Sequence, residues 1–577
     1  MKSNLSMLLA TAGFGLGLAA SANAAEILVT ADIATSTTWT ANNTYNLQNQ
    51  IYVLPGATLT IEPGTVIAST TNLGGSLAVT RGARIVAAGT KDQPIIFTSK
   101  ADVATWTNGN PKTGALRVVC NEWGNLTIMG RGYISENATP GNTATFNANN
   151  VAVMEGLTAS SPSDTRVLYG GGNDDDNSGV LSYVSFRYGG RVIGLNNELN
   201  GLSLGGIGRE TVIDHVEIMN NVDDGIEIWG GTVNIKNFAI WNIGDDSLDI
   251  DQGWRGKGQF GLIVQGYSAN AAQGSGVGDN AIEIDGAEQS DYQPVTTGVL
   301  YNMTVIGDRG TTNANGCDHA IAYRDNARVQ IRQSVFMDIG ERVVANDNVD
   351  GDGGAGYGFN GTHTWAQTWT TPFNVYPTVN APANPAAFYT AQTNGMLNEI
   401  KDSVFFNNTF SQAYTEANAR GVFDAGNSNL ISAKASPIVS ITRGPVASPT
   451  ATLRINPVTN LDPRASGPAV VAALVAPAPN DGFFTPVTYR GAFSPTENWL
   501  CTWSAAAAFG LTATTPAQCP SPVCTGDLNN DGSVNGSDLT LLLGAWGTAN
   551  AAADLNSDGN VNGSDLTILL GAWGSCP

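Results

Sequence analysis

This sequence predicts an all-β solenoid, a right-handed parallel β-helix, followed by a small α module of two loop–helix repeats. Three observations carry that prediction. From residue 25 to about 345, short β-branched runs alternate apolar and polar residues and are broken by Gly, Asn and Asp. That alternation is the period of strands rather than helices. Within this stretch Asn200-Gly-Leu-Ser-Leu-Gly, Asp224-Gly-Ile-Glu-Ile-Trp, Asp246-Ser-Leu-Asp-Ile-Asp, Asn280-Ala-Ile-Glu-Ile-Asp and His319-Ala-Ile-Ala-Tyr-Arg align without gaps, at steps of 24, 22, 34 and 39 residues. Finally, an acidic pattern beginning at Asp527 recurs 27 residues later from Asp554.

The N-terminus has a basic Met1-Lys2, a short apolar run from Leu5 and an A-x-A site at Ala22-Asn23-Ala24. Residues 1–24 are therefore expected to be a secretory signal peptide, and the mature chain to be secreted, extracellular or at the cell surface. No later stretch reaches the roughly 18–20 apolar residues of a membrane span. The net charge of −22 argues against nucleic acid, which demands basic surfaces, and suits a protein that binds cations.

The body, 25–345, opens with runs such as Ala57-Thr-Leu-Thr-Ile-Glu-Pro-Gly-Thr-Val-Ile and Pro94-Ile-Ile-Phe-Thr-Ser. The first two repeat steps, 24 and 22 residues, are close to one β-helix coil, and the longer steps imply loop insertions. Leu202/Leu204, Ile226/Ile228, Leu248/Ile250, Ile282/Ile284 and Ile321/Tyr323 are expected to form inward columns that each coil buries against its neighbours. A β-sandwich or propeller is the competing architecture, but it calls for longer repeats and hairpin turns. Residues 346–511 are less regular, with Gly-rich, Pro/Thr-rich and Pro/Ala-rich stretches read as loops and extended chain. Their aromatic cluster, Tyr489 to Phe493 and Trp499 to Trp503, is expected to cap the open end. Residues 512–525 form a linker and 526–577 the terminal module.

In that module each copy places oxygen side chains at loop positions 1, 3, 5, 9 and 12, with glycine at 6. The first copy supplies Asp527, Asn529, Asp531, Asn535 and Asp538, with the Ser533 carbonyl at position 7. The second supplies Asp554, Asn556, Asp558, Asn562 and Asp565, with the Asn560 carbonyl. Such a loop wraps a hard cation, and three carboxylates per loop suit Ca²⁺ better than Mg²⁺. An apolar helix follows each loop, Leu539 to Trp546 and Leu566 to Trp573, with its Leu and Trp on one stripe. No helix is expected to enter the first loop, because Cys519-Pro-Ser-Pro-Val-Cys-Thr precedes it.

Of the six cysteines, Cys524 and Cys576 bracket the module, and a bridge there is worth roughly 4 kcal/mol on the chain-entropy model. Cys501 and Cys519 form a second expected pair. Cys120 and Cys317 stay open.

If the coils stack, the repeats put Asn200, Asp224, Asp246, Asn280 and His319 in one column. The residues before the last four are Asp223, Asp245, Asp279 and Asp318, and Glu227, Asp249 and Glu283 lie three positions on. Coils about 4.8 Å apart force such carboxylates to repel unless they are protonated or bridged by a cation. Three readings stay open. In a hydrolase, one acid among Asp224, Asp245 and Asp246 protonates a leaving oxygen while another activates water, with His319 in the same column. In a calcium-assisted lyase, Arg255, Lys257 or Arg324 is the base. In a structural ladder, Asp and Asn only satisfy turn backbone. Trp229, Trp241 and Trp254 could stack on sugar rings, whereas His215 is expected to face the surface.

The terminal repeats resemble a type I dockerin, which implies Ca²⁺ as cofactor and a cohesin-like scaffold protein as partner. The loop positions 10 and 11, Gly536-Ser537 and Gly563-Ser564, depart from the Ser-Thr often found there. The body resembles the right-handed β-helix superfamily that includes pectate lyases and polygalacturonases, on Tyr52 to Ile67 and on the paired acids Asp223-Asp224 and Asp245-Asp246. That resemblance implies a protein that binds or degrades an acidic or neutral polysaccharide. The Gly-His-Gly of the hydrolases is absent. A non-catalytic surface or adhesion protein is the alternative.

Overall fold

The computed structural model describes residues 25–575 apart from 138–143, 195–196, 267–277, 289–291, 309–318, 325–326, 341, 348–361, 409–426, 432, 447–454, 513–518, 520–524, 530–532, 551 and 557. The expected signal peptide, Cys317, Asp318, Asp531, the expected Cys524–Cys576 bridge and most of the expected linker lie outside these residues.

The architecture is a right-handed parallel β-helix. One face stacks nine parallel strands, among them Ser76–Val79, Leu126–Met129, Leu202–Gly205, Ile226–Trp229, Leu248–Asp251, Ile282–Ile284 and His319–Arg324. Its register joins Leu202 to Ile226, Ile226 to Leu248 and Leu248 to Ile282, so the gapless alignment of the repeats is also their physical register. All ten inward positions expected from the sequence are fully buried in one continuous core. β-branched and γ-branched side chains stacked this way fill the lumen coil by coil.

The other two faces merge in the central coils. There single long strands, Gly179–Arg187, Val212–Met219, Asn234–Trp241 and Lys257–Val264, serve both. Each bends at one residue with left-handed backbone: Tyr183 (φ 49°), His215 (φ 53°), Asn237 (φ 51°) and Phe260 (φ 60°). Asn302, Gln333 and Asp402 repeat the bend in later coils with φ of 55°, 51° and 55°. Bulky residues seldom adopt this conformation, and here the corner imposes it on all seven of these coils.

The aromatic C-terminal segment runs lengthwise along a flank rather than over the end. Arg490 Nη2 bonds Asp402 at 2.5 Å, Gly491 N–H donates to Gln333 O at 2.8 Å, and Ala492 N–H donates to Thr304 Oγ1 at 2.8 Å. Further on, Ala506 N–H reaches Glu217 Oε1 at 3.0 Å, and Thr502 Oγ1 donates to Lys91 O at 3.1 Å. The segment therefore crosses from a late coil to an early one. Phe493, Trp499 and Trp503 cover a second apolar layer made by outward residues such as Trp241, Leu262 and Met337. That apolar outer surface draws the aromatics sideways. Cys501 and Cys519 are disulfide-bonded, with Cα atoms 5.6 Å apart.

In the terminal module, helices Gly536–Gly544 and Gly563–Gly571 each start in a capping box, Asn535 with Asp538 and Asn562 with Asp565. Val534, Leu542, Val561 and Leu569 form its small core. Among the described residues no helix is long and apolar enough to cross a membrane.

Candidate functional site

The turn entering the nine-stranded face carries the Asn/Asp column, and its side chains make a ladder along the helix axis. Asn200 Oδ1 accepts the Asp224 N–H at 3.2 Å, and Asp224 Oδ1 accepts the Asp246 N–H at 2.9 Å. Asp246 Oδ1 then accepts the Asn280 N–H at 2.5 Å. Asn280 Oδ1 meets His319 Nδ1 at 2.8 Å, ending the series. Each of the first three steps satisfies a buried backbone donor in the next coil, as short Asx side chains do at turns. The structure thus brings Asp224, Asp246 and His319 onto one line, with one oxygen of each aspartate committed to the ladder.

Around that line carboxylates gather in four trios whose oxygens lie within 4.8 Å of one another: Glu155–Glu198–Asp223, Asp223–Asp224–Asp245, Asp224–Glu227–Asp249 and Asp249–Glu283–Asp285. Ser203, Glu227, Asp249 and Glu283 stand in strict register on adjacent strands. Asn200 Nδ2 donates to Glu227, and Arg324 Nη1 reaches Glu283 at 2.7 Å and Asp285 at 3.3 Å. Burial, and then the neighbouring carboxylates, push Asp223, Asp224, Glu227, Asp246 and Asp249 well above the usual carboxylate range. Burial raises Asp245 to about 7, reinforced by Asp279, and raises Glu155 to about 7. Asp249 Oδ1 and Glu198 Oε1 are buried without a hydrogen-bond partner. Such oxygens need either protons or a cation, and two of the four trios share Asp249.

A further acidic group adjoins the row. Gln252 Nε2 donates to Glu136 at 3.0 Å and Glu288 at 3.1 Å, while Tyr169 OH donates to Gln252 Oε1 at 2.8 Å. Burial raises Asp251 and Glu288 to about 7 each. Glu136, Glu155, Glu198 and Glu288 come from chain outside the aligned strands. Periodicity carried no signal for them, and only the fold of the intervening loops delivers them.

Several expected partners sit elsewhere. Arg255 is buried, holds Asp174 through contacts of 2.5 and 3.0 Å, and lies 4.2 Å over the Phe388 ring. Lys257 pairs with Asp481 at 2.5 Å on a different strand face. Arg324 alone of the three cations joins the carboxylate row. Trp229, Trp241 and Trp254 are all buried, Trp254 in the lumen and the others under covering chain, so none offers a sugar platform. His215 is not surface-facing either. It stacks on Tyr183 at 4.3 Å, meets Trp499 and Trp503 edge-on, and contacts Asp214 at 3.0 Å, because the C-terminal segment lies over it.

In both terminal repeats backbone N–H groups gather on the carboxylate of the last loop position. Asp565 Oδ1 accepts the N–H of Leu555 at 2.7 Å and of Asn556 at 3.2 Å, and its Oδ2 accepts that of Asn562 at 2.8 Å. Asp538 does the same for Leu528, Asn529 and Asn535 at 2.8, 3.2 and 2.9 Å. Asp554 takes the N–H of Asp558 at 3.1 Å and of Gly559 at 2.7 Å, and Gly559 turns at φ 89°. The Asn562, Asn556 and Leu555 N–H groups hold the Asp565 carboxyl below its usual range. For Asp538, burial opposes ionisation, but the Asn535, Asn529 and Leu528 N–H groups outweigh it. Ionised carboxylates around one small loop are a donor set that fits Ca²⁺. On the helices that follow, Leu543, Trp546, Leu570 and Trp573 are each about half exposed, at matching places in the two copies.

Residues 31–368 match a family model described as a pectate-lyase like beta helix domain, and residues 525–571 match that of the dockerin type I domain. No curated protein and no solved structure matches the chain.

Proposed function

The chain belongs to the pectate-lyase-like β-helix family and ends in a type I dockerin domain, and from that premise we propose that it is a secreted, scaffold-tethered protein that binds or degrades an acidic polysaccharide. Dockerin type I domains bind calcium and cohesins. Here Asp527, Asn529, Asp531, Ser533, Asn535 and Asp538, with Asp554, Asn556, Asp558, Asn560, Asn562 and Asp565, are the calcium ligands, and the exposed Leu/Trp faces are the surface a cohesin covers. The organisation we infer is a signal peptide (1–24), a β-helix body (25–345), an irregular C-terminal part (346–511), a linker (512–525) and the calcium module (526–577).

The polysaccharide site is the carboxylate row. One observation carries it: four mutually close carboxylate trios in a line, with the buried Asp249 Oδ1 lacking any partner. Asp223, Glu227, Asp245, Asp249 and Glu283 are the residues that would hold a divalent cation. Bound there, it would neutralise the row and attract the carboxylate of a uronic-acid unit. Arg324 positions an anionic group rather than removing a proton, because Asp285 and Glu283 push its guanidinium further towards the charged form. The test is depolymerisation of uronic-acid polymers by wild type and Asp249→Asn, with calcium and with chelator. Product release by wild type in calcium alone, lost in Asp249→Asn, supports the reading. No release from any polymer, together with no calcium-dependent retention of polymer by the wild type, defeats it.

A second reading is a non-catalytic surface protein in which the row only stabilises the coils. The backbone bonds of Asp224 and Asp246 favour it. Under that reading calcium raises the melting temperature of the β-helix while no saccharide binds.

A further inference from the structure

Two open cavities of about 190 and 230 Å³ meet over the opening coils, and Arg191 lines both. Arg191 begins an outer hairpin, Arg191–Gly194 with Asn197–Leu199, and pairs with Leu199 across it. Its side chain lies directly on Gly74. A Cβ built on that glycine would stand 1.6 Å from Nη1 and 2.6 Å from Cζ, and the glycine itself has φ 64°. Only a residue without a side chain supplies both this turn and this flat floor.

The charge on Arg191 is uncompensated among the described residues, where it makes no hydrogen bond or ion pair. Several other arginines are paired with carboxylates: Arg117 holds Glu122, Arg255 holds Asp174, Arg332 holds Glu399 and Arg490 holds Asp402. The carboxylate nearest the cleft, Glu122, is already engaged by Arg117 and by Ser99 Oγ at 2.5 Å. In a chain of net charge −22, a planar guanidinium left open to two cavities is a receptor for an anion, with its fork of donors matched to a carboxylate or sulfate.

The surroundings specify what carries that anion. Asn49, Gln50, Asn72 and Asn121 bring amide groups to the cavity walls. Leu73, Val192 and Ile193 stand beside them, 45%, 38% and 37% exposed. Alternating amides and aliphatic surface suit a sugar ring, which presents hydroxyls at its rim and C–H groups on its faces. The second cavity shares its wall with the carboxylate row. Gly156 and Leu199 line the cavity, and their chain neighbours Glu155 and Glu198 belong to the first trio.

We propose that this cleft binds an anionic saccharide unit, with Arg191 taking its carboxylate or sulfate group. The site lies over the opening coils, beside the first trio of the row, and stands whether the row holds a cation or only stabilises the coils.

Calorimetry on the full chain tests it with three probes: a galacturonate trisaccharide, a sulfated galactan trisaccharide and the neutral galactan trisaccharide. Wild type is expected to bind one or both anionic probes and to bind the neutral one at least tenfold more weakly, about the worth of a charged hydrogen bond. Which anionic probe binds identifies the group. Arg191→Ala is expected to lose about tenfold or more, and Arg191→Lys to fall between, because an ammonium keeps the charge without the fork. The titrations are run in chelator, where the row holds no cation to attract an anion, and binding is expected to persist there. Unaltered melting curves of the exposed-site variants confirm that folding is intact. Equal affinity for the neutral probe, unchanged binding by Arg191→Ala, or no binding of any probe overturns the proposal. Binding that appears only when calcium is added and is kept in Arg191→Ala assigns the saccharide to the row and also overturns it.

Discussion

Asp224 Oδ1 accepts the backbone N–H of Asp246 at 2.9 Å, so the carboxyl group of one coil closes the turn of the next. The same contact recurs above and below it, and in the first step of the series the acceptor is the amide oxygen of Asn200. An amide oxygen performs this task as well as a carboxylate does. What asparagine cannot do is release a proton or ligate a cation as an anion.

This divides the acids by substitution. Asp224→Asn is expected to fold with near wild-type stability, while Asp224→Ala leaves the Asp246 N–H buried without an acceptor and costs about 1–3 kcal/mol. Chemical denaturation of the two variants measures the difference. Equal losses in both would mean that the carboxylate charge, not the backbone contact, is what matters at this position.

The raised carboxyls make stability depend on pH. Burial holds Asp245, Asp251 and Glu288 at about 7, above the ordinary carboxylate value near 4. Between those limits the folded chain binds more protons than the unfolded chain. Stability is therefore fully present below about pH 4 and is lost as pH rises through about 7. In chelator, the melting temperature of the β-helix is expected to fall across that window, and calcium is expected to restore it most at the alkaline end. A melting temperature in chelator that stays flat from pH 4 to 7.5 would contradict this account.

The flanking segment should behave as part of the β-helix. Trp503 is buried against Tyr183, His215 and Trp499. Trp503→Ala is expected to cost about 3–5 kcal/mol, as large aromatic deletions do. If the segment were a detached tail, proteolysis near residue 503 would be as fast in the wild type as in the variant. Limited digestion followed by mass spectrometry distinguishes the two.

In the terminal module, metal binding and docking should separate. Trp546→Ala with Trp573→Ala removes exposed rings and leaves both loops and the Leu542–Leu569 core in place. Two calcium ions per chain are expected to bind as before, while retention on a panel of cohesin modules drops at least tenfold. Loss of calcium binding in this pair would place the rings in the fold rather than at the docking surface.

Much of this molecule was legible beforehand because its signals are periodic. Leu202, Ile226, Leu248 and Ile282 align in sequence for the same reason that they stack in space: each coil repeats one pattern against the last. The terminal domain beginning near Asp527 was equally plain, since each of its two repeats lies within one short segment. Side chains whose partners are remote escaped. Arg255 follows the Asp245–Asp246 pair closely in sequence yet turns to Asp174, and Trp254 enters the lumen rather than standing beside the carboxylate row.

The sequence by itself determined the coil register, the inward columns, the Asn/Asp ladder and the paired Asp-rich terminal repeats, all of which are local or strictly repeated. Only the tertiary structure decided that Glu155 and Glu198 join Asp223, that Phe493 to Trp503 run along a flank, and that Arg191 rests on Gly74 between two cavities. Those contacts depend on where inserted loops land on an already formed helix. That placement is set by which outer surfaces remain apolar or unpaired, and no spacing along the chain encodes it.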